Sequence, residues 1–224
     1  MERSFDLEKL LRYPRKGDPV VPSPAPLDRY AGDTAAACAL GYRMAAQALV
    51  ERTTQPQPRG DETFLFYPIV FLYRHHAELM LKGLIFAFDD PEMRRITQAE
   101  KLSEPERKKL VEGREAHSLK RLWEHLRPLV QAVGRDVGRS ETIEGINFYI
   151  QKLNEFDPYS VQCRYPSEET KDRLRNAQKD NRPVDLQSFA EAMERLANYL
   201  EGLDSYVTAR IDCHHEMLAN YDPR

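Results

Sequence analysis

Apolar residues recur at helical spacing along five stretches of this chain, separated by proline-rich or charged breaks. The first, "AAACALGYRMAAQALVERT", is rich in alanine, and Thr34 stands where a helix cap belongs. "TQPQPRGD" breaks it. A second helix is expected from Asp61–Glu62 to about Phe88, with Pro68 early, where a missing N–H is tolerated. Residues 89–116 are charged and predict one or two short helices. Ser118 is placed to cap a third long helix, whose apolar stripe is Leu119, Leu122, Trp123, Leu126 and Val130. A fourth spans roughly 140–156, with Ile143, Ile146, Ile150 and Leu153 on one face. The last runs over about 185–219 and carries Leu186, Phe189, Met193, Leu196, Leu200 and Leu203 at helical spacing.

Two regions break the pattern. Pro14, Pro19, Pro22, Pro24 and Pro26 exclude a helix or central strand, so residues 1–33 read as a Pro-rich N-terminal arm. "FDPYSVQCRYP" (Phe156–Pro166) is bracketed by prolines, and Val161, Cys163 and Tyr165 alternate with Gln162 and Arg164. That alternation predicts a short extended segment near 159–166. The class is all-α, an antiparallel helical bundle over residues 34–224.

Composition narrows the function. The chain has 224 residues, 41% hydrophobic and 31% charged, ordinary for one globular domain. A net charge of −3 supplies no global basic field, which excludes binding of long duplex nucleic acid through charge alone; a local basic cleft stays open. Three scattered cysteines form no CxxC pair and are expected to be reduced, in a cytoplasmic protein. The N-terminus lacks the apolar core of a secretory signal. The apolar run Phe64–Tyr73 ends at Arg74, well short of the roughly 20 residues that a membrane span needs, so no membrane partner is expected.

That interruption, "YRHHAELMLKGL" (Tyr73–Leu84), is the most informative stretch. At about 100° per residue, Arg74, His75, Glu78 and Lys82 share an arc about 100° wide, and His76 points elsewhere. Two readings stand open. Arg74–Glu78 and Glu78–Lys82 are i,i+4 pairs, so the seam can be an ion ladder at the bundle edge. It can also be a functional cleft, since charges near a core cost several kcal/mol unless paired. A histidine beside a carboxylate suits general acid–base work, and neighbouring Arg and Lys suit a phosphate. Arg164 and Tyr165 are candidates to line the same cleft, and His117, beside the Ser118 cap, is placed to approach a phosphate at a helix N-terminus.

Three segments in order, "YRHHAELMLKGLI", "AHSLKRLWEHL" and "DPYSVQCRYP", resemble the HEPN superfamily of prokaryotic defence, toxin–antitoxin and RNA-processing proteins. The similarity is to HEPN-like proteins with an RHxxELxLK helix, an HxLxxLW helix start and a DxxSxxxRYP segment, and it covers about residues 62–166. It implies a helical bundle, commonly a homodimer. Many HEPN proteins are metal-independent endoribonucleases that use Arg-x(4–6)-His at the dimer interface. This chain departs from them: its match, Arg210 to His215, falls near the end of the final helix. The expected catalytic set is therefore Arg74, His75, Glu78 and Arg164, with Arg210 and His215 as runners-up. In it Arg164 holds a phosphate and His75, oriented by Glu78, moves a proton; Lys82, His117 and Tyr165 bind substrate. An antitoxin as partner goes with that enzyme reading; the alternative is a non-catalytic HEPN-like module that binds RNA, a nucleotide or a partner protein, or holds an effector protein in check.

Other chemistries fall away. No HExxH or Cys/His spacing supports a metal, no GxGxxG or GxxxxGK[ST] supports a dinucleotide or ATP, and no GxSxG supports a serine nucleophile. No cofactor is expected.

Overall fold

A computed structural model describes residues 33–54, 62–134, 139–161, 163–164 and 185–220. The N-terminal arm and Tyr165 lie outside the described residues. The described chain is an all-α helical bundle: α1 (Asp33–Thr54), α2 (Glu62–Phe88), α3 (Pro91–Thr97), α4 (Glu104–Val111), a 3₁₀ turn (Arg114–His117), α5 (Leu119–Val133), α6 (Ser140–Phe156) and α7 (Leu186–Ala219). The predicted long helices are all present within a residue or two of their expected ends.

Helix α2 is apolar on most of its circumference, and such a helix must be covered on several sides. It packs on α1, α5 and α7, and α5 in turn packs on α6. Ile69, Leu81, Leu84 and Ile85 of α2 are fully buried with the whole predicted stripe of α5 and the four predicted apolar residues of α6. Trp123 lies edge-on to Tyr199 of α7, ring centroids 6.5 Å apart. Helix α7 has 34 residues, about 51 Å of helix, and buries Met193, Leu196, Leu200 and Leu203. Ser118 caps α5, its hydroxyl accepting from the Arg121 N–H. No helix among the described residues is long and apolar enough to cross a membrane.

The segment after α6 corrects one expectation. Residues 158–164, where described, form turns and not an extended strand. The cause is Asp157, whose buried carboxylate accepts from the Val161 N–H (2.8 Å) and the Cys163 N–H (3.4 Å). An Asp that takes two N–H groups ahead of it folds the chain back on itself. Ser160 completes the bend at φ 58°, fully buried. Burial and then Asp157 push the Cys163 thiol up to about 12, so it stays protonated.

Candidate functional site: a histidine held by a buried carboxylate

The polar seam of α2 folds around Arg74. Its guanidinium is fully buried, and each of its three nitrogens donates to protein. Nε donates to the Asp157 carbonyl (2.8 Å), Nη1 to Glu78 Oε2 (3.1 Å), and Nη2 to the His117 carbonyl. Arg74 therefore ties α2 to the turn before α5 and to the loop after α6. Burial pulls its pKa down, and the Asp157 and Glu78 carboxylates oppose that.

Glu78 is 1% exposed and carries three partners. Besides Arg74, its Oε1 accepts from Lys82 Nζ (2.9 Å) and meets His117 Nδ1 at 2.7 Å. Burial pushes the carboxyl up, but Lys82 and His117 outweigh it, and Glu78 sits below the usual carboxylate range. Against an ionised Glu78, the neutral form of His117 places its proton on Nδ1 as donor and keeps a lone pair on Nε2. The His117 side chain is 40% exposed, so the dyad opens toward solvent. The histidine oriented by Glu78 is thus His117, where the sequence suggested His75.

His75 lies beside the seam without closing on Glu78. Its ring stacks on Phe71 (centroids 5.5 Å, 11° between planes) and takes the edge of Tyr42 at 4.4 Å. Burial lowers its pKa; Glu78 opposes this, while Lys82, Arg164 and Arg74 add to it. Arg164 reaches the same group: its guanidinium lies 5.6 Å from the Phe71 centroid, and Nε donates to the Ser160 carbonyl. The structure thus brings Arg74, His75, Glu78, Lys82, His117 and Arg164 into one neighbourhood. Arg210 and His215 have other partners. Arg210 faces the buried Glu92 (3.9 Å) and His215 faces Asp90 (3.8 Å), both at the start of α3. Their spacing on α7 serves that helix contact, where Arg95 also grips Glu92 at 2.7 Å.

Sequence reasoning missed the Glu78–His117 pair because its members lie 39 positions apart. It also missed Arg114, whose guanidinium lies 4.8 Å from the Tyr159 ring centroid. Two cavities lie off this cluster. One, of about 540 Å³, is lined by Gln47, Glu51, Tyr73, Glu191 and Glu194; an apolar one of about 310 Å³ is lined by Phe66, Phe148, Phe156 and Phe189. Among the described residues no group of His, Cys, Asp and Glu could hold a metal ion.

His76 faces away from the seam into the α1–α7 side. Its Nδ1 lies 2.9 Å from the Ala39 carbonyl, which can only accept, so the neutral ring carries its proton there. Nε2 then faces Glu201 Oε1 at 3.9 Å, and neither atom has a hydrogen-bond partner among the described residues. Burial lowers the pKa of His76, against opposing contributions from Ala39 and Glu201, and burial lowers that of His125 as well. The linkage has a definite sign. Below an unfolded histidine value of about 6.5 the unfolded chain binds protons that the folded chain refuses, so stability falls as pH drops. The urea midpoint is therefore expected to decline from pH 7 to pH 5, a window above the carboxylate range. His76→Gln should flatten that decline, and an unchanged slope would remove His76 as its source.

No family model, no curated protein and no solved structure matches the chain.

Proposed function

We propose that this chain is a HEPN-like protein of a prokaryotic defence or toxin–antitoxin system, acting in the cytoplasm as a metal-independent endoribonuclease. The observation that carries the reading is the 2.7 Å contact between half-exposed His117 and buried Glu78. RNA cleavage without a metal needs a base for the 2′-hydroxyl proton, cations for the phosphate and a proton for the departing 5′-oxygen. His117 Nε2 takes the 2′-hydroxyl proton, and the 2′-oxygen attacks the adjacent phosphorus. The P–O5′ bond breaks, and the protonated His117 returns its proton to the 5′-oxygen. Lys82 and Arg164 supply positive charge. Arg74 is the clamp behind the site, since it is buried and all three of its nitrogens are engaged inside the protein. A homodimer, and an antitoxin or effector as regulator, follow from the HEPN resemblance.

A specific observation favours a second reading, a non-catalytic module that binds RNA, a nucleotide or a partner protein. The Arg210–His215 spacing is occupied by Glu92 and Asp90. Expression of the wild type and His117→Ala in bacteria separates the two. The nuclease reading expects growth arrest and fragmented RNA from the wild type alone. Intact RNA with both would leave only the second; equal damage by both would remove His117 as the base.

A further inference from the structure

Two arginine–aromatic pairs sit beside the dyad; proton transfer uses neither, and only Arg164 has a part in the cleavage proposed above, as positive charge. Arg114 lies over Tyr159, and Arg164 lies over Phe71, whose other neighbour in the stack is His75. Each pair draws one member from the loop after α6, Tyr159 or Arg164. Each draws the other from an element that carries a dyad residue. Arg114 stands three positions before His117 in the same 3₁₀ turn, and Phe71 stands two helical turns before Glu78 on α2. The loop is held to both by Arg74 through the Asp157 and His117 carbonyls. Tyr159 is 38% exposed, and Arg114 and Arg164 are exposed as well.

An aromatic ring or guanidinium plane at a surface stacks well on a nucleobase, whatever its identity. Bases inside a duplex are already stacked and cannot reach such a platform; unpaired bases can. Isolated surface cations would instead bind phosphates of either form. We propose that Arg114–Tyr159 and Arg164–Phe71 are base-stacking subsites beside the His117–Glu78 dyad. The site then takes an unpaired RNA strand by its bases and shows little sequence preference. This inference rests on the RNA reading above.

The test is fluorescence anisotropy of the full chain with three labelled probes about 12 nucleotides long, within the range that such grooves cover. They are a 2′-O-methyl single strand, which cannot be cleaved, the same strand annealed to its complement, and an abasic backbone of equal length. The single strand is expected to bind at least about tenfold tighter than the other two. Tyr159→Ala and Arg164→Ala, both at exposed positions, should each weaken it about five- to tenfold. Tyr159→Ala should leave the abasic probe unaffected. Equal affinity for strand and abasic backbone overturns the proposal, as does wild-type affinity in both variants. Binding to none of the probes removes the RNA reading itself and this inference with it. Base-dependent binding by a protein that cuts no RNA supports the subsites and overturns the cleavage reading alone.

Discussion

Replacing Arg74 by alanine is expected to lower the unfolding free energy by about 3–5 kcal/mol, a large part of what a domain of this size has. An exposed ion pair would predict at most about 1 kcal/mol, so burial decides which figure applies. Arg74 and Glu78 are 0% and 1% exposed. Truncation leaves the Glu78 carboxylate with Lys82 and His117 but strips one oxygen of its partner. It also removes the Arg74 donors from the Asp157 and His117 carbonyls, and losing the partner of a buried acceptor costs about 1–3 kcal/mol. Lysine is no substitute, because one ammonium cannot reach three acceptors that a planar fork reaches from Nε, Nη1 and Nη2. Urea denaturation of wild type, Arg74→Ala and Arg74→Lys measures this through the midpoint at constant slope. A loss below about 1 kcal/mol for alanine would mean that α2, the 3₁₀ turn and the loop after α6 hold together without the clamp.

The same residue shows what could be read in advance. The helices were legible because their signals are local. Leu119, Leu122, Trp123, Leu126 and Val130 repeat at helical spacing behind Ser118, and all five are buried. The seam of α2 was legible for the same reason, since Arg74–Glu78 and Glu78–Lys82 are neighbours one turn apart. Which histidine Glu78 would choose was not. His75 is three positions away and fits by helical geometry, yet its ring turns to Phe71 and Tyr42. His117 comes from another element, and only tertiary packing puts it at 2.7 Å. The extended reading failed at the described residues 159–161 and 163–164 because period-two alternation over so few positions carries little information. One buried carboxylate, Asp157, redirected the backbone instead. The Arg210–His215 spacing illustrates the converse: a match in sequence became a contact with α3.

His117→Ala should separate stability from activity, and this split bears most directly on the nuclease reading. The ring is 40% exposed and makes its contact with Glu78 from the outside of the seam. Removing it leaves Arg74 and Lys82 on the carboxylate. The expected stability change is about 1–2 kcal/mol, the net worth of one hydrogen bond to a carboxylate that keeps its other partners. The expected loss of RNA cleavage is about 10²- to 10⁴-fold, the usual contribution of a positioned general base. His117→Gln should not rescue the rate, because an amide can hydrogen-bond to Glu78 but cannot take up a proton. Lys82→Ala, by contrast, removes only the partly buried cation that the nuclease reading assigns to the phosphate, and should reduce cleavage by a smaller factor. Cleavage of a labelled RNA by purified, folded variants decides it. If His117→Ala cuts at the wild-type rate while Arg74→Ala is merely unstable, the Glu78 cluster is a structural ion network. If His117→Ala is folded and inert, Arg74 is its positioning residue: it fixes the histidine twice, through the His117 carbonyl and through the carboxylate that holds the ring.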